Sequence, residues 1–91
     1  IDMKEVKTTK QFRKDLKRIQ NNPKKIANLK KVILLLIQTG TLPEEYNLHS
    51  LIGNYKGCLE CHVENDLLLI WIDEEEEVIK LLRLGSHSEL F

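Results

Sequence analysis

No apolar stretch in the sequence is long enough to cross a bilayer. The longest, residues 32–37 and 67–72, are six residues each, against the roughly 20 a membrane-spanning helix requires. Residues 1–5 carry no charged-then-apolar leader closing on small residues, so export is not expected. The expectation is a soluble, cytosolic protein with no membrane contact. There is no internal repeat, and no low-complexity segment apart from the four glutamates at 74–77. At 91 residues and 42% hydrophobic content, the chain is too short for two separate cores, so residues 1–91 should form one domain. A core this small gains from a partner that buries more surface. Net charge is also lacking, at zero, which taken as an average argues against nucleic-acid binding.

That average hides a strong asymmetry. Residues 1–56 hold twelve of the fourteen Lys and Arg against five carboxylates, a net +7, and residues 57–91 hold two against nine, a net −7. Such bipolarity hints at a surface that faces a polyanion, although a solvated helix face would produce the same count.

The basic half reads as helical. Thr8-Thr9-Lys10-Gln11 has capping-box spacing, a hydroxyl followed three residues later by Gln. Phe12, Leu16 and Ile19 then form one apolar stripe among Lys10, Arg13, Lys14, Lys17 and Arg18. Asn22-Pro23 predicts a second helix, with Asn as N-cap and Pro at the first helical position. Ile26, Leu29, Val32, Ile33, Leu36 and Ile37 keep the helical period up to Thr39-Gly40, where Gly can end a helix in the left-handed conformation. Two helices joined by a tight turn make an α-hairpin.

After the loop Leu42-Pro43-Glu44-Glu45 the period becomes strand-like. Residues 58–63 and 67–72 flank Glu64-Asn65-Asp66, a turn-forming cluster, and read as a β-hairpin. Residues 67–72 are apolar on both parities, as in a central strand covered on both faces. Residues 73–77 read as a charged turn, 78–84 as the next strand, and 2–7 as a possible extra one. The predicted class is α+β, two N-terminal helices packed on a mainly antiparallel sheet.

Cys58-Leu59-Glu60-Cys61-His62 matches the C-x-x-C-H pattern of c-type haem attachment, and its Cys pair also suggests zinc or redox chemistry. Strand geometry opposes this, because side chains three apart point to opposite faces and cannot grip one group together. A second ligand pair for tetrahedral zinc is missing as well. Cys61 is instead expected in the core beside Leu59 and Val63, and no metal or cofactor is expected. The opposite face should carry Glu60, His62 and Glu64, with Asp66 in the turn beyond. His49 precedes the sheet and His87 follows its last strand, so all three histidines lie in the β half. Imidazole titrates near neutrality and suits acid–base work, although spacing alone favours three surface histidines slightly more.

The C-terminus adds a family signal. Arg83, followed by Leu84-Gly85-Ser86-His87-Ser88-Glu89-Leu90-Phe91, resembles the ending of the YafQ-type toxins of the RelE/ParE superfamily, a strand closing on Arg-x-Gly-Ser/Thr-His and then an aromatic. These residues read as a continuation of the strand. His49-Ser50-Leu51-Ile52-Gly53 resembles the family's His-x-Leu-x-Gly, and residues 60–70 resemble its central hairpin. Leu59, Asn65 and Leu67 depart from the pattern, where Arg, Pro and Trp are frequent.

The resemblance implies a RelE-like fold and a metal-independent endoribonuclease that cuts mRNA in the ribosome. The 2′-OH attacks its adjacent phosphate and the 5′-oxygen leaves. His87 would be the general acid, Asp66 and His62 would position or deprotonate the 2′-OH, and His49 would assist proton transfer or bind phosphate. Arg83 would neutralise the phosphorane-like charge, and Phe91 would pack near the nucleotide. Lys10, Arg13, Lys14, Lys17, Lys24, Lys25, Lys30 and Lys31 would face ribosomal RNA. The implied partners are the ribosome, mRNA and a co-encoded antitoxin, with DNA reached only through that antitoxin. The competing reading is a non-catalytic partner-binding or co-repressor module on the same fold.

Overall fold

The computed structural model describes residues 3–75 and 77–91. Its elements run β1 (Glu5–Thr8), α1 (Lys10–Lys17), α2 (Pro23–Thr39), β2 (His49–Ser50), β3 (Leu59–Glu64), β4 (Leu67–Glu75), β5 (Val78–Gly85) and α3 (His87–Leu90). Short 3-10 turns occupy Glu44–Tyr46 and Gly53–Tyr55. The fold is α+β, as its composition of elements predicts.

Local chemistry accounts for most of these boundaries. The N-cap of α1 is Thr9, one residue later than the sequence spacing suggests, and its hydroxyl accepts from the Phe12 N–H at 3.0 Å. Gln11 does not complete a capping box. Its amide donates instead to Asp15 at 3.1 Å. Asn22 caps α2 by accepting from the Lys25 N–H, with Pro23 at the first position. Gly40 closes α2 at φ 76°, its N–H donating to the Leu36 carbonyl. That left-handed conformation strains residues bearing a Cβ.

The strands form one sheet in the order β1-β5-β4-β3-β2. β1 runs parallel to β5, and the other pairs are antiparallel. β1 extends through Thr8, and residue 2 of the expected 2–7 strand lies outside the described residues. β4 continues through Glu75, past the start of the expected charged turn. As the central strand, β4 is buried on both faces, and its alternation divides the core in two. Leu67, Leu69 and Trp71 join Phe12, Leu29, Val32, Leu36 and Cys61 beneath the helices. Leu68 and Ile70 join Cys58 and Leu90 on the opposite face, with Leu51 and Tyr55 packed against them. α1 lies along β5 and α2 on β3, so the sheet positions each helix. No helix among the described residues is long and apolar enough to cross a membrane.

β1 ends at Thr8, and α1 then covers the edge of β5 that β1 leaves open. Thr9 donates its N–H to the Leu81 carbonyl and its hydroxyl to the Leu82 carbonyl. Asp15 accepts the Leu84 N–H at 3.0 Å. A carboxylate thus takes the place of a strand neighbour, satisfying a backbone group that would otherwise be buried unpaired.

The segment after β5 differs from the expected strand continuation. Ser86 caps α3 in a true capping box: its hydroxyl accepts from the Glu89 N–H, and the Glu89 carboxylate accepts from the Ser86 N–H at 2.8 Å. α3 folds back tightly over Gly85, where an added Cβ would lie 3.0 Å from Glu89 Oε1 and 3.4 Å from Leu90 Cδ2.

Candidate active site

On β3, Cys61 and Val63 point into the core beneath the helices. The residues of alternate parity, Glu60 and His62, therefore face the other way. β2 pairs His49 directly with Glu60. Register slips between His62 and Glu64, and the Glu64 carboxylate accepts from Asn28 of α2 at 2.7 Å. Glu64 therefore turns towards α2 and leaves the histidine face on which the alternation places it.

Four of the expected residues converge. The His62 ring centroid lies 6.5 Å from that of His49 and 5.9 Å from that of His87, both in edge-on arrangement. Asp66, in the β3–β4 turn, accepts from the His87 backbone N–H at 3.1 Å and approaches His87 Nδ1 at 3.2 Å. Those two hydrogen bonds, the backbone one first, hold the Asp66 carboxyl below the usual carboxylate range. With Nδ1 turned to Asp66, no described residue engages the Nε2 of His87. Neither nitrogen of His62 is engaged by a described residue. His49 is engaged at both, with Nδ1 2.8 Å from the Asn47 carbonyl and Nε2 3.1 Å from Glu60 Oε1.

Phe91 is 62% exposed. Its ring sits 6.2 Å from His87 and 5.5 Å from Tyr55, edge-on to the latter. Tyr55 and Glu60 were not candidates from the sequence. Tyr55 lies in a loop without strand or helix period, and Glu60 resembles any polar residue on a strand.

Arg83 is placed differently from the expectation of a phosphate contact. Its Nε donates to Asp15 Oδ2 at 2.8 Å and its Nη2 to Oδ1 at 3.4 Å, while Nη1 reaches the Tyr55 hydroxyl at 3.4 Å. Tyr55 in turn donates to the Leu90 carbonyl at 3.4 Å, so Arg83 braces the loop and α3 from behind. Burial pushes the Asp15 carboxyl up, but hydrogen bonds from Arg83, the Leu84 N–H and Gln11 outweigh it and leave it lowered.

The basic residues mostly lie elsewhere. Lys10, Lys14, Lys17, Lys24, Lys30 and Lys31 are exposed on α1 and α2, which cover the face opposite the histidines. Arg13 is turned to Thr8, its Nη1 donating to the hydroxyl at 2.8 Å. Lys25, half-buried, is the one of the eight whose charge acts on Asp66.

The C-x-x-C-H segment is divided, with Cys58, which lies just before β3, and Cys61 within it in different core clusters on opposite faces. Burial pushes the Cys61 thiol up to about 12, so it stays protonated. Among the described residues, no group of three or more His, Cys, Asp or Glu is arranged to hold a metal ion.

The likeness to known proteins runs over nearly the whole chain. The family model for the bacterial toxin of type II toxin-antitoxin systems, YafQ, matches residues 4–91. The mRNA interferase toxin YafQ of Escherichia coli K12 is 35% identical over 89 residues, covering 97% of this chain and 96% of that protein. The E. coli DinJ-YafQ complex contains a chain that superposes with a TM-score of 0.84 at 34% identity, covering 97% of this chain and 98% of that one. A metal-bound toxin from Helicobacter pylori superposes with a TM-score of 0.86 at 41% identity, covering 98% and 100%. This chain belongs to the YafQ family of bacterial type II toxin–antitoxin toxins.

Proposed function

We propose that residues 1–91 form one RelE-like toxin domain that cuts mRNA on the ribosome by 2′-OH attack, without a metal. The observation that carries this reading is the convergence of His49, His62, His87 and Asp66 at one edge of the sheet, beside an exposed aromatic ring. Cleavage of this kind needs only proton transfer and charge stabilisation. The 2′-OH loses its proton as its oxygen bonds to phosphorus, and the 5′-oxygen gains one as the P–O5′ bond breaks.

In this mechanism His87 is the general acid. Asp66 holds Nδ1, which directs Nε2–H outward to the leaving oxygen. The same bonds make Asp66 a poor proton acceptor, since they favour its ionised form. The base is then His62, whose ring nitrogens are unoccupied by described residues, and Asp66 orients rather than deprotonates. Phe91 offers a stacking surface for the nucleotide, with Tyr55 fixing its ring. Arg83, whose charge is largely matched by Asp15, contributes more to holding this wall than to the phosphate. The lysines of α1 and α2 would grip ribosomal RNA away from the scissile bond, and their share of the affinity would fall steeply with salt. The ribosome orients the message and so supplies much of the entropic advantage. The partner is a co-encoded antitoxin, in keeping with the DinJ-YafQ toxin-antitoxin complex of the E. coli relative, and DNA would be met only through it.

Induced expression in bacteria is expected to arrest growth and to generate new mRNA 5′ ends in frame with coding sequences. Unaffected growth with unchanged 5′ ends would favour the non-catalytic binding module. Cleavage by purified protein on intact ribosomes is expected to survive a chelator selective for transition metals at constant magnesium. Loss of cutting there, restored by adding back one metal, would overturn the metal-free mechanism.

A further inference from the structure

Glu60 is an expensive residue for its position. It lies on β3 opposite Ile70 of the central strand and is 3% exposed, and its Oε2 has no hydrogen-bond partner among the described residues. Burying a carboxyl group with an oxygen unsatisfied is destabilising, and an apolar side chain would fill the site at lower cost. What the carboxyl group does contact is His49, at 3.1 Å from Oε1 to Nε2.

The other side of His49 settles where its protons are. Nδ1 is 2.8 Å from the Asn47 carbonyl oxygen, which can only accept, so Nδ1 carries a hydrogen. The contact between Nε2 and Oε1 must then hold a second proton, because two bare lone pairs would repel. Imidazole is ordinarily a stronger base than a carboxylate, and at 43% exposure this ring can keep water around a positive charge, which, with the attraction between the two groups, offsets the desolvation that burial imposes on the carboxylate. The second proton therefore belongs on Nε2. Asn47, which supplies the carbonyl, has φ 51° and is the one non-glycine residue with positive φ among those described. Both contacts on the ring thus come from groups held at some energetic cost.

We propose that Glu60 is a positioning residue that locks His49 as a doubly protonated ring, so that His49 brings a fixed positive charge to the edge of His62 and offers no free lone pair. His49 is thereby excluded as the base. Its charge instead opposes the negative charge that builds on phosphorus, preorganised before substrate arrives. The use of that charge rests on the nuclease reading above, whereas the state of the ring does not.

Ring nitrogen spectra of His49, recorded on the purified 15N-labelled chain near neutral pH, test the ring directly. Two protonated nitrogens are expected in the unaltered chain. Glu60→Gln keeps the shape but lets an amide N–H donate to Nε2, so the ring should retain only its Nδ1 proton. A singly protonated His49 in the unaltered chain, or a ring indifferent to Glu60→Gln, overturns the proposal. Cleavage assays supply an independent arm. Glu60→Gln should slow cutting by about 10–100-fold, by analogy with the loss of a carboxylate that orients a metal-bound histidine, and should add nothing in a His49→Ala background. Additive losses would overturn positioning through His49. Should the unaltered chain cut no RNA at all, the nuclease reading falls, and the ring spectra still decide the proton arrangement.

Discussion

His87→Ala is expected to reduce ribosome-dependent RNA cleavage by about 10²–10⁴-fold, the usual range for a lost acid–base group, with little change in thermal stability. The stability expectation follows from where the side chain sits. The imidazole is mostly exposed, and the backbone N–H that Asp66 accepts is untouched by alanine. Ser86 and Glu89 keep their capping box, so α3 has no reason to unwind. In the proposed mechanism, what alanine removes is the proton source beside the leaving oxygen, which only binding and the remaining groups can partly offset. Parallel measurement of single-turnover cleavage and melting temperature checks both halves. A folded variant with undiminished cutting would remove His87 from the mechanism.

Asp15→Ala should produce the largest loss of stability, about 3–5 kcal/mol, the range found when one partner of a buried ion pair is deleted. The substitution strands the Arg83 guanidinium and the Leu84 N–H together, at the point where a helix rather than a strand covers the sheet edge. Against a total of about 5–15 kcal/mol for a small domain, that brings the chain close to unfolding. The pH dependence has a definite sign. Because the folded-state carboxyl is held below its ordinary value, the contribution of Asp15 is fully present above the unfolded value of about 3.9. It is lost as pH falls through the folded value. Denaturant titrations at neutral and acid pH should show the two proteins far apart at pH 7 and drawing together in acid. A neutral-pH difference below about 1 kcal/mol, the scale of an ordinary exposed pair, would show that the ion pair is not structural.

The two predictions meet in one chain of contacts. Asp15 holds Arg83, Arg83 reaches Tyr55, and Tyr55 reaches the Leu90 carbonyl of α3, the helix that begins at His87. The site thus depends on an ion pair anchored in α1, on the edge of the sheet.

Legibility in the sequence followed the range of the interactions. Helix ends at Asn22-Pro23 and Gly40, the hairpin around Asn65, and the doubly buried strand at 67–72 all arise from contacts within a few residues, so period and capping chemistry reveal them. α3 was legible in principle, since Ser86 and Glu89 are spaced as a capping box. Its position directly after a strand made it read as more strand. The first cap was placed one residue early because Thr8 and Thr9 are adjacent hydroxyls, and only the exit from β1 chooses between them.

By itself the sequence determined the α+β order of elements, the two-faced central strand, the separation of Cys58 from Cys61 and a set of histidines gathered in the β half. Only the tertiary structure decided which of these residues meet. A slip of register after His62 sent Glu64 to α2, the pairing of β2 with β3 set His49 on a buried Glu60, and the unfilled edge of β5 drew Asp15 and Arg83 together. Each outcome depends on elements distant in the chain competing for the same backbone and polar partners, and no local pattern records who wins.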